Sequence, residues 1–452
     1  MFVARSAARV RFARLVFLLV GIAPVVGLVA WAVHLRSDSH RAAIEQRWQE
    51  TLGIPLVVGA IEHPRPGVIR GRNCRLPTQD GRPPVLLPLI EIESSADEDR
   101  IRLGQFACDP TAAALLTELT RGWLADEVRF RRTCIVEVAD FSWVGSAPSA
   151  PDETLEPGAP VRVECVARPG TRAVRLVRHV GQATDEVRIV RGTPTGPPAE
   201  GVRPNQAAGS QAAGSQAAGS QATGNEQPPP GLTVSADCQQ PVPLAALVIA
   251  TGGGLDAAAA CGVAAVTGSL QASWDASGWS GSAQGRISGI DLAAAVAAVG
   301  GRASGVAHVD VTRLAWQSGR VTDALLECAV GSGLLDGRLF DRIVMALAAR
   351  PGPAARPLAP GGERQFDAAA CIVGVGPFGV QVMPTTRLPA GLAVSSGEVL
   401  LAPPQAAVPA DRIAWMLSAP DTAYAPAQGP GSWLISVLPP AAVVPAAADG
   451  RF

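Results

Sequence analysis

Apolar and polar positions along this chain follow three regimes, and each predicts a different kind of element. The first is an unbroken apolar run, Leu15–Leu35, without a formal charge. As a helix its roughly 21 residues span about 31 Å, close to the hydrocarbon thickness of a bilayer. A helical period follows, with Ile44, Trp48 and Leu52 at i, i+4 and i+8. It predicts a short amphipathic helix that Asp38 or Ser39 caps and Gly53 ends. The period then drops to two. Strands are predicted over Ile54–Ile61, Val68–Leu76, Val85–Glu93 and Asp99–Phe106, with turns at Pro64-Arg65-Pro66-Gly67 and Asp80-Gly81. A helix over Thr111–Leu124 puts Leu115, Leu116, Leu119 and Trp123 on one face. Strand-like runs resume at Glu127–Phe141, Val161–Arg168 and Val174–Val190.

Alternation stops at Thr193. From there to Gly231 the unit Gln-Ala-Ala-Gly-Ser recurs at 206–210, 211–215 and 216–220, and the segment closes with Pro228-Pro229-Pro230. It has no apolar face to bury, and as a flexible spacer its r.m.s. span is about 35 Å. Beyond it the alternation is the cleanest in the chain. Leu270, Ala272 and Trp274, then Trp279, Gly281, Ala283, Gly285 and Ile287, alternate with Ser, Gln, Asp and Arg. That pattern predicts antiparallel strands with one apolar and one wet face. A helix over Leu292–Val299, capped by Asp291 and stopped by Gly300-Gly301, leads into long strands Gly305–Gln317 and Arg320–Val330. A helix around Arg338–Leu347 precedes a proline-rich remainder with short strands near 366–376, 378–383, 391–401 and 432–438.

The expected fold is therefore mainly β (α+β): a transmembrane helix followed by antiparallel, groove-like or sandwich-like β-sheets with a few short helices. The expected organisation is a cytoplasmic stretch 1–14, a span 15–35, β-rich regions 36–192 and 232–350 separated by the linker 193–231, and a tail 351–452. Charge supplies the orientation. Arg5, Arg9, Arg11 and Arg14 precede the apolar run, so the positive-inside rule leaves the first residues in the cytoplasm and exports the rest. This implies an inner-membrane protein with most of its chain in the periplasm. Ala30-Trp31-Ala32 also fits a signal-peptide cleavage site, which leaves a cleaved leader as the alternative to an anchor.

Composition narrows the chemistry. Thirty-eight basic and 39 acidic residues give a net charge of −1, so no global basic field points to nucleic acid. Every basic residue is arginine, which excludes a Schiff-base or P-loop lysine. Gly374-Val-Gly376-Pro-Phe-Gly379 matches a dinucleotide fingerprint, but Pro377 and the β-like run after it cannot supply the helix N-terminus such a site needs. The five histidines are scattered, and the arginine stretches 129–132 and 172–178 read as solvated faces. Eight cysteines lack any CxxC spacing; on strands they read as small hydrophobes, with one or two bridges open to an exported chain. No cofactor, metal or catalytic set emerges, and the expectation is a non-enzyme. The candidate functional residues are Leu270, Ala272, Trp274, Trp279, Ala283 and Ile287, lining either a lipid groove or a closed core.

The order of elements resembles the start of AsmA-like envelope proteins. A membrane helix and an amphipathic helix ending Thr51-Leu52-Gly53 lead to the strand Ile54–Glu62 and the turn Pro66-Gly67. Val68–Cys74, Leu76-Pro77, Asp80-Gly81-Arg82 and Ile90-Glu91-Ile92 then follow in the family's order. Gly285–Leu292 before a helix, and Ser304-Gly305 opening a strand pair, are similar to the family's C-terminal region. The likeness covers about 38–142 and 262–348; the short length, the repeat linker and the proline-rich tail depart from it. It implies a single-pass anchor with a periplasmic β-groove that handles phospholipid acyl chains or supports outer-envelope assembly, with other envelope proteins as further partners. A bitopic scaffold of a type II secretion-like machine has similar architecture and is the alternative.

Overall fold

In the computed structural model, residues 7–52, 55–78, 83–125, 132–144, 158–192, 231–250, 261–297, 301–358, 361–376, 379–416 and 436–438 are described. The chain divides into two compact units, residues 1–143 with 155–164 and residues 144–154 with 165–452. The expected stops and turns at Gly53, Asp80-Gly81 and Gly300, and the start of the strand at Glu127, lie outside the described residues.

The first unit begins with α1 (Ala7–Phe17), a π-helical turn (Leu18–Ile22) and α2 (Ala23–Leu35) in direct succession. Pro24 accounts for the π turn. It has no N–H for the Val20 carbonyl and its ring crowds that carbonyl, so the spacing widens and the Ala23 N–H donates to Leu18 instead. Arg14–Leu35 is long and apolar enough to cross a membrane, and none of it is buried by the rest of the protein. Helix α3 (Asp38–Leu52) is capped one residue earlier than expected: the His40 N–H donates to Ser37 Oγ at 3.3 Å. Asp38 is instead the first helical residue, where its carboxylate favours the helix dipole. Ile44 and Trp48 form its buried face.

The strand expected over Ile54–Ile61 lies later. Val57 makes only an isolated bridge to Arg75, and β1 is Ala60–Arg65. Its ladder with β2 (Val68–Leu76) shifts register between Glu62 and Arg65, where Pro64 cannot donate. β2, β3 (Val85–Ser94) and β4 (Glu98–Cys108) form an antiparallel meander. Helix α4 (Pro110–Ala125), capped by Asp109 on the Ala112 N–H at 2.7 Å, returns the chain to β5 (Thr133–Trp143), parallel to β4. On α4 Trp123 is buried and Leu115 and Leu119 are half-buried as expected, Leu116 is exposed, and Ala112 and Ala113 are buried as well. β6 (Ala159–Arg168) runs across the boundary of the two units.

In the second unit the run Val174–Val190 is two strands, β7 (Thr171–Val180) and β8 (Ala183–Gly192), turned by Gly181 at φ +60°. β8 then pairs with β9 (Gly231–Pro243), a strand the linker's reach to Gly231 had obscured. Gly192 pairs with Gly231, so the residues flanking the segment 193–230, which lies outside the described residues, are neighbours in one ladder. Then come α5 (Leu244–Ala250), β10 (Ala265–Asp275), β11 (Gly278–Asp291), α6 (Leu292–Ala297), β12 (Val306–Gln317) and β13 (Arg320–Val330). Asp291 caps α6 as expected, accepting the Ala293 N–H at 2.9 Å. β14 (Gly333–Asp336), α7 (Gly337–Leu347), β15 (Arg350–Pro351), β16 (Glu363–Phe366), β17 (Ala368–Gly376), β18 (Gly379–Met383), β19 (Ala393–Ser395), β20 (Glu398–Ala402) and α8 (Ala410–Met416) complete the unit. The strand expected at 432–438 is absent from its described part, 436–438.

The ladders run β7-β8-β9-β10-β11-β12-β13-β17-β18, antiparallel throughout. Gly268 and Gly285 face each other at φ +133° and +152°, and the ladders on either side shift register at the same two residues. A Cβ at Gly268 would meet the Gln284 carbonyl at 2.2 Å, so only glycine permits this approach. Paired bulges of this kind bend a sheet locally.

Candidate functional site: an apolar sheet face

The six residues singled out by alternation fall on one face and pair across strands: Trp274 with Trp279, and Leu270 with Ala283, while Ala272 opposes Gly281 and Ile287 opposes Val266. The face continues far beyond them. One transverse row reads Leu176, Val187, Ala236, Leu270, Ala283, Leu314, Ala324, Val375 and Val380, a single apolar residue from each of nine strands. The period of two forces this. Once antiparallel registers align, every inward position faces inward together.

Exposure changes along that row, and the change decides what the face is. From β7 to β12 the row residues are half-buried; Ala324, Val375 and Val380 are 3 %, 8 % and 3 % exposed. The closed end packs into one buried cluster with Phe340, Phe366, Leu392, Leu400 and Leu401. At the open end Trp274 and Trp279 remain 38 % and 40 % exposed, an unusual state for paired tryptophans. Of the six candidates Ala272 alone is buried. Along one row the sheet thus passes from half-buried to buried apolar residues.

The reverse face of the same strands is polar and paired. Arg286 on β11 forms a bidentate pair with Asp310 on β12, which holds the Asp310 carboxyl below its ordinary range. Arg313 meets Asp323 at 2.7 Å, and Arg175 meets Glu186 at 2.8 Å. Two arginines depart from the solvated reading of stretch 172–178. Arg172 and Arg178 share the phase of Leu176, so they lie on the side of the apolar row and not on the reverse face. Both are buried, and Arg178 donates to Asp185 at 2.7 Å while Asp185 also accepts the Gln239 and Gln240 N–H groups. In the first unit Arg65, Glu93, Arg102, Glu137 and Arg162 form a chain of ion pairs across the sheet. Each cation there already has an acid, so no free anion cradle results.

The glycine fingerprint lies in the β17–β18 hairpin, with Gly376 opposite Gly379; residues 377 and 378 lie outside the described residues. The third glycine, Gly379, opens a strand, whereas a pyrophosphate site needs a helix N-terminus at that position. The histidines are less scattered than they read. His40 Nε2 lies 3.1 Å from His63 Nε2, and the His34 ring is 5.4 Å from that of His40. Burial, then the neighbouring His63 and His34, pushes the His40 pKa down. Chain spacing hid this, since a helix end and a strand supply the partners. Among the described residues no group of three His, Cys, Asp or Glu is placed to hold a metal ion. The alternation Leu232, Val234, Ala236, Cys238 could have revealed β9 in advance.

No protein-family model, curated protein or solved structure matches this chain.

Proposed function

We propose that this is a single-pass, inner-membrane-anchored periplasmic protein whose apolar sheet face accepts phospholipid acyl chains, in support of lipid transfer or outer-envelope assembly. One observation carries the reading: a nine-strand apolar row whose β7–β12 part stays half-exposed. Large exposed apolar surface is costly in water and marks a place where something apolar binds. Each acyl methylene transferred to such a face contributes about 0.8 kcal/mol, so a chain of ordinary length binds well without a polar anchor. The apolar span Arg14–Leu35 supports a lipid source close by. The AsmA-like order of elements in the sequence points the same way.

The test is mass spectrometry of lipid extracted from full-length protein purified in mild detergent, wild type against Trp274→Glu. Phospholipid retained by wild type and lost from a folded Trp274→Glu variant is the expected result. A lipid-free wild type would overturn the reading and leave a scaffold role in a secretion-like machine.

A further inference from the structure

Cys328 on β13 and Cys371 on β17 are directly opposite each other in an antiparallel ladder. The registers on both sides are regular, from Ala324↔Val375 to Val330↔Ala369 without a shift, so the backbone holds the pair in place. Directly opposed antiparallel residues have Cα atoms about 4.5–5.5 Å apart, inside the range a disulfide requires. The two thiols are in hydrogen-bond contact and both are only half-buried. They lie 43 residues apart in sequence, with β14, α7, β15 and β16 in the loop between them.

We propose that Cys328 and Cys371 are a redox pair that closes to a cross-strand disulfide by exchange with a small-molecule disulfide. The Cys371 thiol donates to Cys328, which lowers the Cys328 pKa; the same bond and burial raise that of Cys371. Cys328 is therefore the thiolate that attacks first. Its sulfur bonds to one sulfur of the external disulfide and expels the other as thiolate. Cys371 then gives up its proton, its sulfur attacks Cys328 Sγ, and the second thiol leaves. Two protein thiols are oxidised to one disulfide and the external disulfide is reduced to two thiols. The bridge lies inside the closed end of the apolar face and fastens β13, the strand next to the half-buried β7–β12 part, to β17.

Two of the other cysteines, Cys74 and Cys108, have chemistry that sets them apart. Cys74 is pushed up to about 11, chiefly by burial, and Cys108 to about 12 for the same leading reason. Both are buried inside the first unit and poorly reactive.

The full-length protein in detergent is incubated with oxidised glutathione, blocked with N-ethylmaleimide, and digested with trypsin without reduction. Arginines at 320, 338, 364 and 387 place the two cysteines on separate peptides, 321–338 and 365–387. The expected product is those two peptides cross-linked, with a melting temperature about 5 °C or more above that of the reduced protein. Cys371→Ser is expected to stop at a glutathione adduct on Cys328. Recovery of both peptides as maleimide adducts or as separate glutathione adducts, from protein with an unchanged melting curve, would overturn the proposal.

Discussion

Ala283 and Ala324 occupy the same transverse row, separated only by Leu314, yet the first is half-buried and the second fully buried. Replacing each by glutamate is therefore a controlled comparison, with identical chemistry and nearly identical backbone. At Ala324, which is 3 % exposed, the new side chain must displace packed neighbours, costing about 1–3 kcal/mol. Its carboxyl must also stay neutral in the core. Protonating it at pH 7 against an unfolded pKa near 4.3 costs about 3.7 kcal/mol. The sum, about 5–7 kcal/mol, is comparable with the whole stability of a typical domain. At Ala283 the carboxylate reaches water past half-exposed neighbours, and the loss is within about 1 kcal/mol. The assay is urea unfolding of the full-length protein in a mild detergent, followed by tryptophan fluorescence. Ala324→Glu is expected unfolded or nearly so without urea, and Ala283→Glu close to wild type. Comparable destabilisation at both positions, above about 3 kcal/mol, would refute the claim that the β7–β12 face is open.

Three other outcomes follow from particular residues. A reporter fused after Leu35 is expected to be active only outside the cytoplasm, and the isolated protein to keep its N-terminus; a mature chain beginning at Val33 would show that the apolar segment is a cleaved leader. Asp185→Asn removes the charge partner of buried Arg178 and weakens acceptance of two backbone N–H groups, so unfolding by urea should show a loss of about 3–5 kcal/mol. His40 has a folded pKa below its unfolded value, so the unfolded chain binds more protons as pH falls from about 6.5. Stability from this group is complete above that pH and declines below it; the melting temperature should drop between pH 7 and 5.5, and His40→Asn should flatten that slope.

Local periodicity carried much of this architecture. Strands β2 and β3, the hairpin β10–β11, the pair β12–β13 and helix α7 are legible because one pattern fixes both their conformation and their buried face. The apolar membrane-length helix is legible for the same reason: its length and lack of charge are properties of contiguous residues. Capping was legible where the capping side chain stood alone, as at Asp291. It failed at Ser37, because Ser37, Asp38 and Ser39 are equally able acceptors and only the backbone turn chooses among them.

The tertiary structure decided everything that depends on which strands become neighbours. The sequence named Leu270, Ala272, Trp274, Trp279, Ala283 and Ile287 as one apolar face, but alternation is the same whether such a face is roofed or open. Cover comes from elements more than 50 residues away, such as Leu400 and Leu401 on β20. Partnership across a ladder has the same origin. Nothing in the spacing of Cys328 and Cys371, of His40 and His63, or of Gly192 and Gly231 marks them as pairs, because register is set by the whole sheet rather than by any of its strands.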